Sequence, residues 1–234
     1  MKSSILVVVV LTIVATVSIA QAQGTWEGPT GVFLNPLAFT LAQGQTSVST
    51  HYLNLQPAGA LTTYGVTYGA AKNFEIGLTR ADLSVGGISA INIAHAKYII
   101  LPAKGEAPAV GVGVIARETE GGPSTDDIYA VATEVFPTKT PIIASVTVRN
   151  TNGLGSGLFG KDDDRSTEVG AFLGVVAKPK LIVGVEYYGQ PDADAWKDVA
   201  VRYSFDPNTN VDLGLARINS TFKDQVAFAL THRF

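Results

Sequence analysis

The feature that most constrains the fold of this chain is an alternation of apolar side chains with small or polar ones, from residue 44 to the last residue. Successive side chains of a β-strand point to opposite faces of the sheet, so this alternation predicts strands with one apolar face. The runs have about the ten-residue length that a tilted membrane-crossing strand needs. Clusters of Gly, Pro, Asn and Asp separate them, as expected for turns. No run carries a helical apolar stripe.

The number and spacing of these runs predict a closed barrel. We count about twelve of them, at approximately 44–55, 61–70, 73–83, 88–101, 108–118, 127–136, 140–150, 166–177, 180–189, 196–206, 210–219 and 222–234. Short connections at 71–72, 137–139 and 178–179 alternate with longer ones at 119–126, 151–165 and 190–195, although 102–107 is long for its side. Bacterial outer-membrane barrels have short periplasmic turns and longer extracellular loops.

The two faces of the predicted strands differ in a way that favours a membrane barrel over a secreted soluble β-sandwich, the alternative all-β fold. One face is rich in Val and Leu, whereas the other combines glycine with charged residues. An apolar core would not accept these charges, because buried unpaired charges are costly, but a polar lumen would. The predicted lumen-lining charges are Glu75, Arg117, Glu134, Glu168, Glu186, Asp198, Arg202, Asp212 and Arg233.

Aromatic residues near the ends of the runs predict two girdles on the outer surface. Tyr and Phe favour the membrane–water interfaces, where their rings are part apolar and part polar. The upper girdle is predicted to contain Tyr52, Tyr64, Tyr129 and Tyr187, and the lower one Phe74, Tyr203, Phe205 and Phe234.

The N-terminal residues predict export from the cytoplasm. Lys2 precedes an apolar run at 5–15, and Ala20-Gln21-Ala22 has the small-x-small pattern of a cleavage site. We therefore predict a signal peptide at 1–22, an extended lead-in at 23–43 and the barrel at 44–234. The chain has no cysteine, which excludes thiol catalysis and disulfides. It has 17 basic and 20 acidic side chains, a balance that gives no basic surface for nucleic acid.

The last alternating segment, Val226 to Phe234, ends on an aromatic residue with Phe228, Leu230 and Phe234 on one face. It resembles the C-terminal assembly signal of bacterial outer-membrane β-barrel proteins. This resemblance implies a bacterial outer-membrane location and recognition by the barrel-assembly machinery. The segment from Gly28 to Pro36, followed by Gly44, is similar to the lead-in of exopolysaccharide-associated outer-membrane barrels, which implies an accessory role in polysaccharide export.

These observations predict a non-enzymatic protein in contact with outer-membrane lipid. His51, His95 and His232 do not form a hydrolase pattern, and Asp162 to Asp164 lack the full spacing of a calcium loop, so we predict no catalytic residue, metal or cofactor. The leading hypothesis is a narrow passive channel for small polar solutes. Inward acidic residues outnumber arginines in the predicted lumen, which indicates a mild cation preference. The alternative is a structural or envelope-assembly barrel with a closed lumen.

Overall fold

The protein forms a closed antiparallel barrel of twelve β-strands in the computed structural model. The structure describes residues 24–55, 59–85, 88–104, 107–153, 161–190, 193–217 and 224–234. The strands are β1 (Thr46–Asn54), β2 (Ala60–Ala71), β3 (Phe74–Val85), β4 (Ile88–Leu101), β5 (Ala109–Thr119), β6 (Thr125–Phe136), β7 (Ile142–Gly153), β8 (Lys161–Lys178), β9 (Leu181–Gln190), β10 (Ala193–Ser204), β11 (Thr209–Arg217) and β12 (Gln225–Arg233). The all-β closed barrel predicted from the alternation is confirmed.

Each strand pairs with its neighbours in sequence, and β12 closes the barrel against β1. The register of this seam pairs Ser47 with Arg233 and Leu53 with Ala227. The amide of Phe234 extends the seam by donating to the carbonyl of Thr46 at 2.8 Å. Closure satisfies the hydrogen-bonding groups that an open sheet would expose at its edges, which is a requirement for a sheet in lipid.

Two connections that were predicted to be long, at 151–165 and 190–195, are shorter in the structure. At the end of the barrel where β1 begins and β12 ends, which we call the terminal end, β2 and β3 are joined through residues 72–73. At the opposite or far end, β8 begins at Lys161 and β10 at Ala193, so both strands take up residues predicted as loop. Asp162 to Asp164 consequently belong to β8 rather than to a loop tip.

The outer surface of the barrel is apolar. Val66, Val114, Val146, Leu173 and Leu213 are between 47 and 56 % exposed, and the residues that alternate with them are mostly buried. Among the described residues, no helix is long and apolar enough to span a membrane. The signal peptide predicted at 1–22 lies outside the described residues.

Candidate functional site

Residues 24–43, which we call the plug segment, enter the barrel, and residues 24–41 occupy its lumen. Every residue from Gly24 to Leu41 is buried, so the predicted lead-in lies inside the barrel. Isolated bridges between Gly24 and Thr30 and between Gly31 and Pro36 fold the segment back on itself. Gly28 has a φ of 113°, and a Cβ there would lie 2.6 Å from Oγ1 of Thr79, so both conformation and space require glycine.

The plug segment is fixed near the terminal end by Glu75 on β3. The Glu75 carboxylate accepts hydrogen bonds from the amide and hydroxyl of Thr30, at 2.8 and 2.6 Å, and from the amide of Leu41 at 3.0 Å. Lys97 on β4 forms an ion pair with Glu75 at 3.0 Å and donates to the carbonyl of Leu37 at 3.0 Å. A buried carboxylate with an ion-pair partner and three further donors is well compensated for its lost hydration.

A second carboxylate, Glu186 on β9, holds the middle of the plug segment. It accepts hydrogen bonds from the consecutive amides of Phe33, Leu34 and Asn35 at 2.8, 3.0 and 2.9 Å, and from Nδ2 of Asn35 at 3.1 Å. Successive backbone amides that converge on one anion form a nest. Backbone donors of the plug segment are therefore satisfied by the barrel wall, as buried amides require.

A third contact, toward the far end, is a network of four charges. Glu27 of the plug segment accepts hydrogen bonds from Nε of Arg117 at 2.9 Å and from Nη1 of Arg149 at 2.8 Å. Both guanidinium groups also bind Asp127 of β6, at 2.9 Å from each Nη1. All four side chains are at most 1 % exposed. Two cations facing two anions leave this buried network without net charge.

Apolar contacts fill much of the remaining lumen. Trp26, Phe33, Leu34 and Ala38 belong to one buried cluster with side chains of the barrel wall. Val32, Leu37 and Phe39 belong to a second, together with Ile143, Phe172, Val176 and Ile182. Between the plug segment and strands β7 to β11 a cavity of about 20 Å³ remains, lined in part by Phe33, Glu186 and Arg202. Such a volume holds about one water molecule, so the cavity gives no path for a solute.

The structure places most of the predicted lumen charges inside the barrel. Buried and inward-facing are Glu75, Arg117, Glu168, Glu186, Asp198, Arg202 and Asp212. Arg202 forms an ion pair with Asp212 at 3.0 Å and donates to the carbonyl of Gly31 at 3.2 Å. Both carboxylate oxygens of Asp198 lack a hydrogen-bond partner among the described residues. Arg233 lies at the terminal end, where it donates to the carbonyl of Pro207 at 3.0 Å.

Two predicted positions are wrong, and both lie on β6. Tyr129 is only 2 % exposed and points into the barrel against Gly113, its cross-strand partner, so it does not belong to the outer girdle. Glu134 has the opposite parity from the buried Thr133 and is half-buried on the outer face, so it does not line the lumen. The reason is that both faces of β6 mix apolar and polar residues, which leaves the parity of the alternation ambiguous.

Sequence reasoning missed four charged residues that contact each other or the plug segment: Glu27, Lys97, Asp127 and Arg149. Lys97 and Arg149 follow the inward parity of β4 and β7, so a strict alternation would have found them, whereas Asp127 lies on β6, where the parity is ambiguous. Glu27 carries no such signal, because it lies in a segment without strand periodicity. Only the tertiary structure brings it to its partners.

The outward-facing aromatic residues are placed at both ends of the strands. Tyr52, Tyr64 and Tyr187 are 42 to 56 % exposed toward the far end, and Tyr203, Phe205 and Phe234 are 44 to 73 % exposed toward the terminal end. Phe74 is half-buried beside Tyr98, its partner on β4. On β12, Phe228 is half-buried on the outer face, where Leu230 is 38 % exposed.

The histidines of the lumen, His51 and His95, contact the plug segment or its surroundings. Nε2 of His51 lies 3.0 Å from the carbonyl of Gly24, and Nδ1 lies 3.1 Å from the hydroxyl of Thr63. Nε2 of His95 lies 3.3 Å from the hydroxyl of Thr67, which donates to the carbonyl of Gly28 at 3.0 Å. Within the described ranges, no group of three or more His, Asp or Glu side chains is placed to hold a metal ion.

Several solved outer-membrane barrels have a similar fold. The KdgM porin has a TM-score of 0.60 and 12 % identity, over 80 % of this chain and 99 % of that chain. The NanC porin has a TM-score of 0.57 and 10 % identity, over 80 % of this chain and 97 % of that one. Omp33 of Acinetobacter baumannii has a TM-score of 0.52 and 12 % identity, over 82 % of this chain and 98 % of that one. The prediction of a bacterial outer-membrane β-barrel is thus confirmed at the level of the fold.

The chain also matches the model of a sequence family. The model of a family described as "Protein of unknown function (DUF3034)" matches residues 22–229. No curated protein matches the chain.

Proposed function

This chain belongs to the DUF3034 family, and we propose that it is a bacterial outer-membrane channel for small polar solutes whose resting state is closed by its own N-terminal plug segment. The observation that carries this proposal is the chemistry of the contact between the plug segment and the wall. Glu75, Glu186 and the Arg117–Arg149 pair bind the segment from inside the barrel. With the segment displaced, these groups would line a polar lumen, as in porins.

The porin fold of the barrel supports passage of polar solutes. The solved neighbours are named as porins, and one structure is titled "KdgM porin in complex with disordered oligogalacturonate". Twelve strands lie between the eight that side chains can fill and the sixteen of open porins, so a barrel of this size has room for a narrow path beside or in place of a plug.

We further propose that the opened lumen prefers cations mildly. Among the described residues, the wall carries six buried carboxyl groups, on Glu75, Asp127, Glu168, Glu186, Asp198 and Asp212. It carries four buried cations, on Lys97, Arg117, Arg149 and Arg202. This acidic excess should attract cations at low ionic strength, where the Debye length is about 30 Å at 0.01 M.

The second candidate is a structural or envelope-assembly barrel whose lumen stays closed. The same plug contacts favour it, because the barrel wall binds the segment at three separate places. These places lie on β3, on β9 and in the β5–β7 region. A role as an accessory of polysaccharide export belongs with this candidate. In both cases, the protein works without catalysis, and its contacts are outer-membrane lipid and the barrel-assembly machinery.

Single-channel recording in planar bilayers separates the two candidates. We would compare the wild-type chain with Gly28→Val, in which the new side chain collides with Thr79 and His95 and should unseat the plug segment without altering the wall. Gln43→Val, at an exposed position of the same segment, is the matched control. The channel proposal expects steady conductance from Gly28→Val and little from the other two. An absence of conductance from a correctly folded Gly28→Val barrel would favour the structural role.

A further inference from the structure

The carboxylate of Glu27 is held in the manner of a bound ligand. Arg117 donates from Nε and Nη2 to Oε1, and Arg149 donates from Nη1 to Oε2. From these contacts we propose that Arg117 and Arg149 form a binding subsite for the carboxylate of a small organic acid, and that Glu27 occupies this subsite in the closed barrel. Guanidinium groups are well suited to this role, because their rigid donors match the geometry of a carboxylate.

The subsite does not depend on the plug segment for its shape. Asp127 of β6 binds both guanidinium groups, so it holds them next to each other whether or not Glu27 is present. The guanidinium carbon of Arg149 also lies 5.1 Å from the centre of the Tyr188 ring, a cation–π contact from β9. All these groups belong to strands, so the donors are already oriented when a solute arrives, and little ordering is needed on binding.

The charge of the subsite selects a monoanion. Two guanidinium groups and one wall carboxylate, Asp127, leave one positive charge that Glu27 balances in the closed state. Glu168, the cross-strand neighbour of Arg149, accepts a hydrogen bond from the hydroxyl of Tyr188, and its negative charge opposes the binding of a second anionic group. A cation would meet two buried guanidinium groups and be repelled. The subsite therefore adds a local anion-binding point to a lumen whose overall excess is acidic.

Spare hydrogen-bonding groups beside the subsite indicate a ligand with hydroxyl groups. Among the described residues, Nε of Arg149 and the hydroxyls of Tyr129 and Thr147 are buried without a hydrogen-bond partner. Arg149 and Thr147 share the inward face of β7, and Tyr129 lies across from Arg149 on β6. Since buried polar groups are costly to leave unpaired, a hydroxy-carboxylate that reaches them should bind better than a simple carboxylate.

The test uses the full chain with Glu27 replaced, which empties the subsite of its internal ligand. We would measure the thermal unfolding midpoint of Glu27→Ala in detergent with sodium propionate or sodium chloride at equal ionic strength. Propionate has the same carboxylate and two-carbon chain as a glutamate side chain. It should raise the midpoint of Glu27→Ala in a saturable way, chloride should not, and the wild-type protein should respond equally to both. Lactate, its hydroxylated analogue, should act at up to about tenfold lower concentration.

Two controls make the result specific. Glu118→Ala removes an exposed carboxylate from the outer face and should show no propionate effect. Glu27→Ala combined with Arg149→Gln should lose the effect seen in the single variant. Equal shifts with chloride and propionate in Glu27→Ala would overturn the proposal.

If Glu27→Ala does not fold in chloride, the measurement becomes its refolding yield. Recovery in propionate alone would support the subsite, and failure in both salts would overturn it. The inference rests on the proposed channel only for the route by which a solute reaches the subsite. Because the assay measures binding without any current, a failure here would leave the conductance experiment unaffected.

Discussion

Glu186 and Asn35 are 151 residues apart in sequence, yet the Glu186 carboxylate binds both the backbone amide and the side-chain amide of Asn35, at 2.9 and 3.1 Å. The Asn35 side chain also reaches the carbonyl of Tyr187 at 3.3 Å. This pair joins the middle of the plug segment to the strand that faces it. It gives the most direct way to test how strongly the segment is held.

Replacing Glu186 by Gln should therefore destabilise the protein. The charged acceptor of three consecutive backbone amides would be lost, and hydrogen bonds to charged groups contribute about 1.5–3 kcal/mol each. We expect a loss of at least about 2 kcal/mol in the free energy of unfolding, measured by urea titration in lipid vesicles. Glu118→Gln, on the outer face, should change it little. Equal values for the two variants would show that the Glu186 contacts do not stabilise the plug segment.

Displacement of the plug segment should be visible by fluorescence. The chain has two tryptophans, Trp26 in the plug segment and Trp196 on β10, and both are buried. In a Trp196→Phe background, Trp26 alone reports on the segment. Adding Gly28→Val should shift its emission to longer wavelength because the ring becomes exposed to water, whereas Gln43→Val should not. An unchanged spectrum in folded Gly28→Val would mean that the segment tolerates the collision and stays in place.

The inward carboxylates should set the ion selectivity of the opened barrel. In the Gly28→Val background, Glu168→Gln together with Glu186→Gln should shift the reversal potential toward anions in a gradient of dilute KCl. At about 1 M salt, where the Debye length is about 3 Å, the shift should fade. Glu118→Gln and Glu134→Gln, on the outer face, serve as the charge-matched control. A conducting Gly28→Val barrel without cation preference in dilute salt would contradict the proposed selectivity.

A charged substitution on the outer face should destabilise the barrel more near the centre of the bilayer than near its edges. Val146 is 52 % exposed near the middle of β7, and Arg at the centre of a bilayer costs roughly 2–4 kcal/mol. Thr167 is also exposed on the outer face but lies closer to the far end, beside Asn150, where the cost should be roughly 0–1 kcal/mol. The loss in the free energy of unfolding is measured for both variants by refolding into lipid vesicles. Equal costs for Val146→Arg and Thr167→Arg would mean that no bilayer surrounds this surface.

The terminal aromatic residue should matter for assembly more than for stability. Phe234 is 73 % exposed, and its backbone amide contributes one bond to the β1–β12 seam. Phe234→Ala keeps that bond and removes the ring, so the folded barrel should lose little stability. Its yield in the outer membrane of cells should nevertheless drop sharply, unlike that of Phe205→Ala, which removes another exposed ring. An unchanged yield at low expression would refute the assembly signal.

The barrel itself could be predicted from the sequence, because a strand encodes its two faces locally. In β5, Val112 and Val114 face outward and Gly111 and Gly113 inward, and this parity needs no knowledge of distant residues. The twelve strands coincide with the twelve predicted runs to within a few residues. Where the alternation weakens, as in β6, the prediction of the face failed for Tyr129 and Glu134.

Only the tertiary structure decided what fills the barrel. The plug segment has no period-two or helical pattern, and its partners lie far away in sequence: Glu75 is 45 residues from Thr30, and Arg149 is 122 residues from Glu27. An inward carboxylate looks the same in the sequence whether it lines an open lumen or binds a backbone amide. Closure of the barrel determines which partner it meets, because it brings side chains from all strands around one axis. The buried charges inside then need partners, and the plug segment supplies them.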